Sequence, residues 1–132
     1  MIGLDSNIVI RYVAQDDPLQ AAVATRLIEQ ELSEREPGYL TLVALAEVVW
    51  VMVSSYGADR GTVQRVIEGL LSAPQIRVER AEQVWRTLDE YSHGRADFSD
   101  ALISVLAREA GCLCTRTFDV VASRHAGFEL LR

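Results

Sequence analysis

The stretch Leu40-Thr41-Leu42-Val43-Ala44-Leu45-Ala46-Glu47-Val48-Val49-Trp50-Val51-Met52-Val53-Ser54-Ser55-Tyr56-Gly57 decides how the rest of the chain is read. Between Leu40 and Val53 only Thr41 and Glu47 interrupt an apolar run. Val43, Val48, Val49, Val51 and Val53 favour strand by propensity. Length argues the other way. A run this long, closed by Ser54-Ser55-Tyr56-Gly57, exceeds an ordinary strand, so it predicts a buried helix with Gly57 as its stop. It is too short to span a membrane, which takes ~20 residues, and it carries a carboxylate at its middle.

Upstream of this helix, Met1 to Asp5 reads as a short buried strand ending at the turn-forming Asp5-Ser6-Asn7. Ile8, Val9, Tyr12 and Val13 suit one side of a short helix. Asp17-Pro18 then starts another, with the aspartate as N-cap and the proline in the first turn. Leu19, Val23, Leu27 and Leu32 recur there at helical spacing and are expected to face inward. Pro37-Gly38 ends that helix, and Gly38 to Thr41 forms a second strand.

Downstream, Asp59 caps a helix bearing Val63, Val66, Ile67, Leu70 and Leu71, which Pro74 ends. Gln75 to Val78 is a third strand. Ala81 to Tyr91, with Val84, Trp85 and Leu88, is helical up to Gly94. Asp97 opens a helix whose apolar face is Leu102, Ile103, Leu106 and Ala110, and Gly111 closes it. Cys112 to Thr115 is expected as a fourth strand, Asp119 to Arg124 as a short helical stretch, and Phe128 to Leu131 as a last strand. Strands alternating with helices imply a mostly parallel sheet with helices on both faces. No repeat, low-complexity segment or linker divides residues 1–132, which read as a single α/β domain.

Composition narrows the function classes. Of 132 residues 49% are apolar, enough for a packed core. Thirteen basic residues, all arginine, stand against nineteen acidic ones for a formal charge of −6. Such a surface does not attract nucleic acid by bulk charge, so any such binding is local or metal-assisted. Met1 to Asp5 carries no basic leader, and a cytoplasmic protein is expected. The two cysteines, Cys112 and Cys114, are expected to be plain buried thiols, since no Cys/His cluster forms a zinc site. His93 and His125 lie in polar, Arg- or Gly-flanked contexts and are expected at the surface.

The chemistry rests with the acids. Ligands of open α/β sheets bind beyond the carboxyl ends of the strands, where Asp5 and Asp119 fall. Asp97 and Asp100 share the first turn of one helix. Each has a structural alternative: Asp5 as a turn former, Asp97 and Asp119 as N-caps. Glu47 inside the apolar run is costly to desolvate unless a cation or an Arg compensates it. Carboxylates without His or Cys suit Mg²⁺ or Mn²⁺, which engage phosphate oxygens and activate water. No Gly-x-Ser-x-Gly elbow or Gly-rich phosphate loop offers competing chemistry.

The order Leu4-Asp5-Ser6-Asn7, then Glu47 in a helix after a strand, then Asp97-Phe98-Ser99-Asp100-Ala101-Leu102-Ile103, then Thr115-Arg116-Thr117-Phe118-Asp119 resembles the PIN-domain nucleases. It looks most like the VapC-type toxins of toxin–antitoxin pairs. The resemblance extends to the closing Gly127-Phe128-Glu129-Leu130-Leu131. It implies a three-layer α/β/α sandwich and a Mg²⁺-dependent endoribonuclease, with Asp5, Glu47, Asp100 and Asp119 as the acidic cluster. Asp5 and Asp100 are then the principal metal ligands, while Glu47 and Asp119 act through water or at a second ion. Ser6 or Asn7, and Thr117, match supporting polar positions. A cognate antitoxin, an RNA substrate and a homodimer are implied as partners. The chain departs from many relatives in having Val120 and Val121 where a further Asp often follows, and Asp97 is an additional carboxylate. Arg11, Arg95, Arg116 and Arg124 are candidates to hold phosphate. The rival readings are a non-catalytic PIN-like binding module and a phospho-aspartate domain. The second is disfavoured by the absence of a further Asp two positions after Asp5 and of any Lys.

Overall fold

Every strand pairing in this protein is parallel. In the computed structural model, which describes residues 1–132, the strands fall into one sheet in each of two compact units, Met1–Ala81 and Glu82–Arg132. Parallel neighbours cannot be joined by a tight hairpin. In the first unit helices therefore fill the connections.

The first unit runs β1 (Ile2–Gly3), α1 (Ser6–Ala14), α2 (Pro18–Arg26), β2 (Gly38–Leu40), α3 (Leu42–Tyr56), α4 (Arg60–Ser72) and β3 (Ile76–Val78). The sheet order is β1-β2-β3, with Gly38 of the central strand facing Ile2 on one side and Ile76 on the other. The long apolar run is the helix its length predicts. Thr41 caps α3 by accepting from the Ala44 N–H at 3.1 Å, and Gly57 ends it in the left-handed conformation at φ 65°. Ala44, Leu45, Val48, Val49 and Met52 are buried along one side. Asp17 and Asp59 cap α2 and α4 as expected, each accepting from the N–H three residues on.

Two expectations fail in this unit. β1 is not buried: Ile2 is 50% exposed because β1 is the sheet edge, and the inward residue is Leu4 just beyond it. On α2 the buried residues are Ala21 and Ala24, followed by Ile28 in a wider π-helical turn (Leu27–Glu31), while Leu19 and Val23 are exposed. α2 packs against α1, and close approach of two helices favours small side chains over the larger ones that hydrophobicity alone selects.

The second unit holds most of α5 (Ala81–His93), then α6 (Phe98–Glu109), β4 (Thr115–Thr117), a 3₁₀ turn (Ala122–Arg124) and β5 (Phe128–Leu130). β4 and β5 pair from Thr115 and Phe128 to Thr117 and Leu130. Val84, Leu88 and Tyr91 of α5 and Phe98, Ala101, Leu102 and Val105 of α6 are buried, with the Tyr91 and Phe98 rings edge-to-face at 5.9 Å. Ile103, expected inside, is exposed because Ala101, Ser104 and Val105 take the inner face instead.

The cysteine expectation is also corrected. Cys112 does not begin a strand. Its N–H donates to the Ala107 carbonyl at 2.9 Å and closes the end of α6 around Gly111, leaving its side chain exposed and Cys114 half-buried. No helix is long and apolar enough to cross a membrane.

Gly127 sits at φ 89°, and a Cβ built there would stand 2.5 Å from the Ser104 hydroxyl oxygen. Gly127→Ala therefore meets both a backbone and a contact penalty and should lower unfolding stability by roughly 1–3 kcal/mol. Gly69 of α4 has nothing within 4 Å of such a Cβ. Gly69→Ala should raise stability by about 0.5–1 kcal/mol, because alanine loses less entropy in a helix. Urea unfolding midpoints of the two variants should move in opposite directions.

Candidate active site

The carboxylates singled out from the sequence are placed by helix starts. Asp5 follows β1 with extended backbone (φ −73°, ψ 156°) and caps α1, its Oδ1 accepting from the Ser6 N–H at 2.7 Å. The cap holds one oxygen and leaves Oδ2 with no protein partner. The Ser6 hydroxyl donates to Glu47 Oε2 at 2.8 Å and lies 3.5 Å from Asp5 Oδ1. Ser6 thereby connects the first helix to α3, and Asp5 and Glu47 share one hydroxyl. Asn7 is exposed and takes no part in this contact.

Glu47 does not occupy the environment its neighbours suggest. It is exposed, on a stripe of α3 with Val43 and Trp50, opposite the buried Leu45, Val48 and Val49. No Arg pairs with it, so neither the buried charge nor the core ion pair is present. An apolar run long enough for four turns has an outer face as well as an inner one, and Glu47 lies on the outer.

In the second unit, Asp97 caps α6 as expected: its Oδ1 accepts from the Asp100 N–H at 2.7 Å. Asp100, in the first turn, is half-buried. Desolvation raises its carboxyl above the usual carboxylate range, and the negative charges of Asp97 and Asp119 raise it further. Asp119 lies beyond β4. Its Oδ1 accepts from Val121 and Ala122 N–H at 2.8 and 3.1 Å, and its own N–H donates to the Thr117 hydroxyl at 3.0 Å. Thr117 therefore supports Asp119, as the sequence pattern suggests.

Of the phosphate-holding candidates, Arg11 is already engaged by Gln20 at 2.7 Å and Asp16 at 3.5 Å. Arg116 is exposed. His93 is exposed as expected, but His125 is only 8% exposed and bonds Glu90 through Nε2 at 3.0 Å. Arg108 grips the same Glu90 carboxylate through both oxygens, at 2.5 and 2.6 Å. The flanking Arg124 and Ala126 gave no sign of this network, because its acid and its arginine lie far off in the chain on α5 and α6.

The donor set bears on a divalent cation. The acids and their supporting hydroxyls offer oxygen alone, the chemistry of Mg²⁺ and Mn²⁺. The repulsion of Asp100 by Asp97 and Asp119 is the kind a cation relieves. No group of three or more His, Cys, Asp or Glu side chains stands at metal-site spacing, so the fit is one of donor type and charge.

Comparison with known proteins gives the family. The family model of the PIN domain matches residues 2–127, a span that includes all four acids. This chain belongs to the PIN domain family. Its fold class is accordingly the α/β PIN fold, in keeping with the parallel strands of both units. Among solved structures it is similar to Mycobacterium tuberculosis VapC20, described as a sarcin-ricin-loop-cleaving toxin. The match has 21% identity and a TM-score of 0.47, and covers 100% of this chain and 99% of that one. No curated protein matches it significantly.

The Asp100 environment makes stability depend on pH. A carboxyl raised in the folded state opposes folding as pH climbs from the unfolded value, ~3.9, through the folded one, and the handicap is full above both. Asp100→Asn removes it. In the metal-free protein this variant should melt higher than wild type at pH 7, and the gap should close as pH falls below the usual carboxylate range.

Proposed function

We propose that this PIN protein is a Mg²⁺-dependent endoribonuclease of the VapC type, acting as the toxin of a toxin–antitoxin pair in the cytoplasm. The observation that carries this reading is the family match across Asp5, Glu47, Asp100 and Asp119. The capping geometry supports it, since Asp5 and Asp119 are each oriented by a backbone N–H on one oxygen. Asp5 and Asp100 would be the principal ligands of Mg²⁺, or of Mn²⁺ in its place, with Glu47 and Asp119 acting through water or at a second ion. When bound, such an ion supplies an activated water and stabilises charge at the phosphorus.

The remaining work falls to the protein. The Ser6 hydroxyl keeps Glu47 turned toward the start of α1, and Thr117 holds the Asp119 turn. Burial and the like charges of Asp97 and Asp119 disfavour the ionised form of Asp100, a cost that a nearby cation would offset. Exposed apolar side chains, Leu19 and Val23 on α2 and Val43 and Trp50 on α3, are consistent with surfaces for an antitoxin and for a second copy of the chain.

Purified protein with Mg²⁺ should cut single-stranded RNA internally, and EDTA should stop it. Asp5→Asn, Glu47→Gln, Asp100→Asn and Asp119→Asn should each lose about 100-fold or more while remaining folded, and Ser6→Ala, a positioning change, about 10-fold. Asp97→Asn should keep its cap, since asparagine caps as well as aspartate, and retain most of its activity. Failure of the wild-type protein to cut any RNA while it still binds an antitoxin would overturn the enzymatic reading.

A further inference from the structure

A cavity of about 440 Å³ lies within the second unit, and its walls include Glu90, Gly94, Arg95, Val121, Arg124 and His125. Its charge balance differs from that of the whole chain. The one carboxylate in the wall, Glu90, is already engaged by Arg108 through both oxygens and by His125 Nε2. Arg95 and Arg124 are exposed and have no acidic or hydrogen-bonding partner in the protein. A net-acidic protein has thus left two guanidinium groups unpaired around one concavity, with the adjacent acid neutralised from behind.

His125 lines the same cavity and reports on it by position. Its side chain is buried and Nε2 is committed to Glu90, whereas Nδ1 has no protein partner. No fully buried side-chain nitrogen or oxygen in the molecule lacks a partner, so Nδ1 must be open to the cavity that His125 lines. Residue 94 is glycine where a Cβ would stand 3.3 Å from that nitrogen, which keeps its edge clear. The same two chain segments carry the acids of this unit: Arg95 lies two residues before Asp97, and Val121 and Arg124 follow Asp119.

Cations with free two-point donors and room for a nucleotide fit a phosphate group. We propose that this cavity binds a phosphate of the RNA strand at a nucleotide other than the one cleaved, with Arg95 and Arg124 as its cationic walls. The proposal rests on the ribonuclease reading above and deepens it: the local contact that a chain of charge −6 requires to hold a polyanion is here.

The test is equilibrium binding of a single-stranded RNA oligonucleotide to the full chain in EDTA, followed over a range of salt concentrations. Arg95→Gln/Arg124→Gln should weaken binding about tenfold at low salt and lower the log–log salt slope by ~1.4, whatever the RNA sequence. Arg26→Gln/Arg35→Gln, with the same charge change outside the cavity, should leave the slope unaltered. In parallel, inorganic phosphate and a nucleoside 5′-monophosphate should each shift the His125 imidazole NMR signals of wild type and not of the cavity variant. Arg95→Lys/Arg124→Lys should restore part of the RNA affinity, which a merely misfolded glutamine variant would not predict.

Equal losses in the two glutamine variants, an unchanged salt slope, or a His125 signal unmoved by phosphate would each overturn the proposal. So would a monophosphate that binds as tightly as the oligonucleotide, which would make the cavity a small-molecule site. If the cavity results hold but wild-type protein cuts no RNA, the enzymatic reading fails and the phosphate site stands. If RNA is cut normally and the cavity variants bind like wild type, the reverse follows.

Discussion

A helix begins with backbone N–H groups that have no partner inside the helix, and this protein meets that need with carboxylates at positions where its chemistry is expected. Asp5, Asp97 and Asp119 each give one oxygen to the start of a helical segment. This interaction does two things at once. It satisfies the backbone, and it fixes the side chain's direction before any ligand arrives, which is the preorganisation a catalytic group needs. Because a carboxylate has two oxygens, capping and ligation are compatible, and treating them as alternatives sets up a false choice. Asp100 is the contrasting member. Its own backbone N–H is the group being capped, and its side chain is left among like charges.

Much of this was readable from the chain because caps and stops are local. Asp17-Pro18, Asp59, Asp97 and Gly57 mark helix ends through chemistry that involves only the next few residues, and the ends fall where those residues place them. What misled was burial, which depends on partners remote in sequence. Leu19 and Val23 carry the right spacing for an inner face, yet packing against α1 favours Ala21 and Ala24. The apolar neighbours of Glu47 in sequence suggest burial, although a helix turns those neighbours away from it. His125 failed in the opposite sense: its neighbours are polar, but Glu90 and Arg108 draw it inward.

The candidate site shows the same division. Asp5, Glu47, Asp100 and Asp119 stand out from the sequence as an ordered series of acids, and Thr117 was legible beside Asp119. That Ser6, and not Asn7, reaches Glu47 was not, because the contact joins α1 to α3 across 41 residues of chain. Nor could the chain alone reveal which arginines are free. Arg11 and Arg124 look equivalent on the page, but Asp16 and Gln20 engage one and nothing engages the other.

The shortness of the strands has a kinetic consequence. β1 has two residues and the other strands three each, and all of them pair only in parallel. Few ladder bonds therefore reward the closure of each long connection, so a sheet of this kind has little capacity to nucleate by itself. In the first unit, the partners Ile2, Gly38 and Ile76 should come into register only after the intervening helices have shortened the path between them. The transition state for that unit should accordingly be rich in helix contacts, above all those of α3, with strand pairing formed late on the descent to the native state.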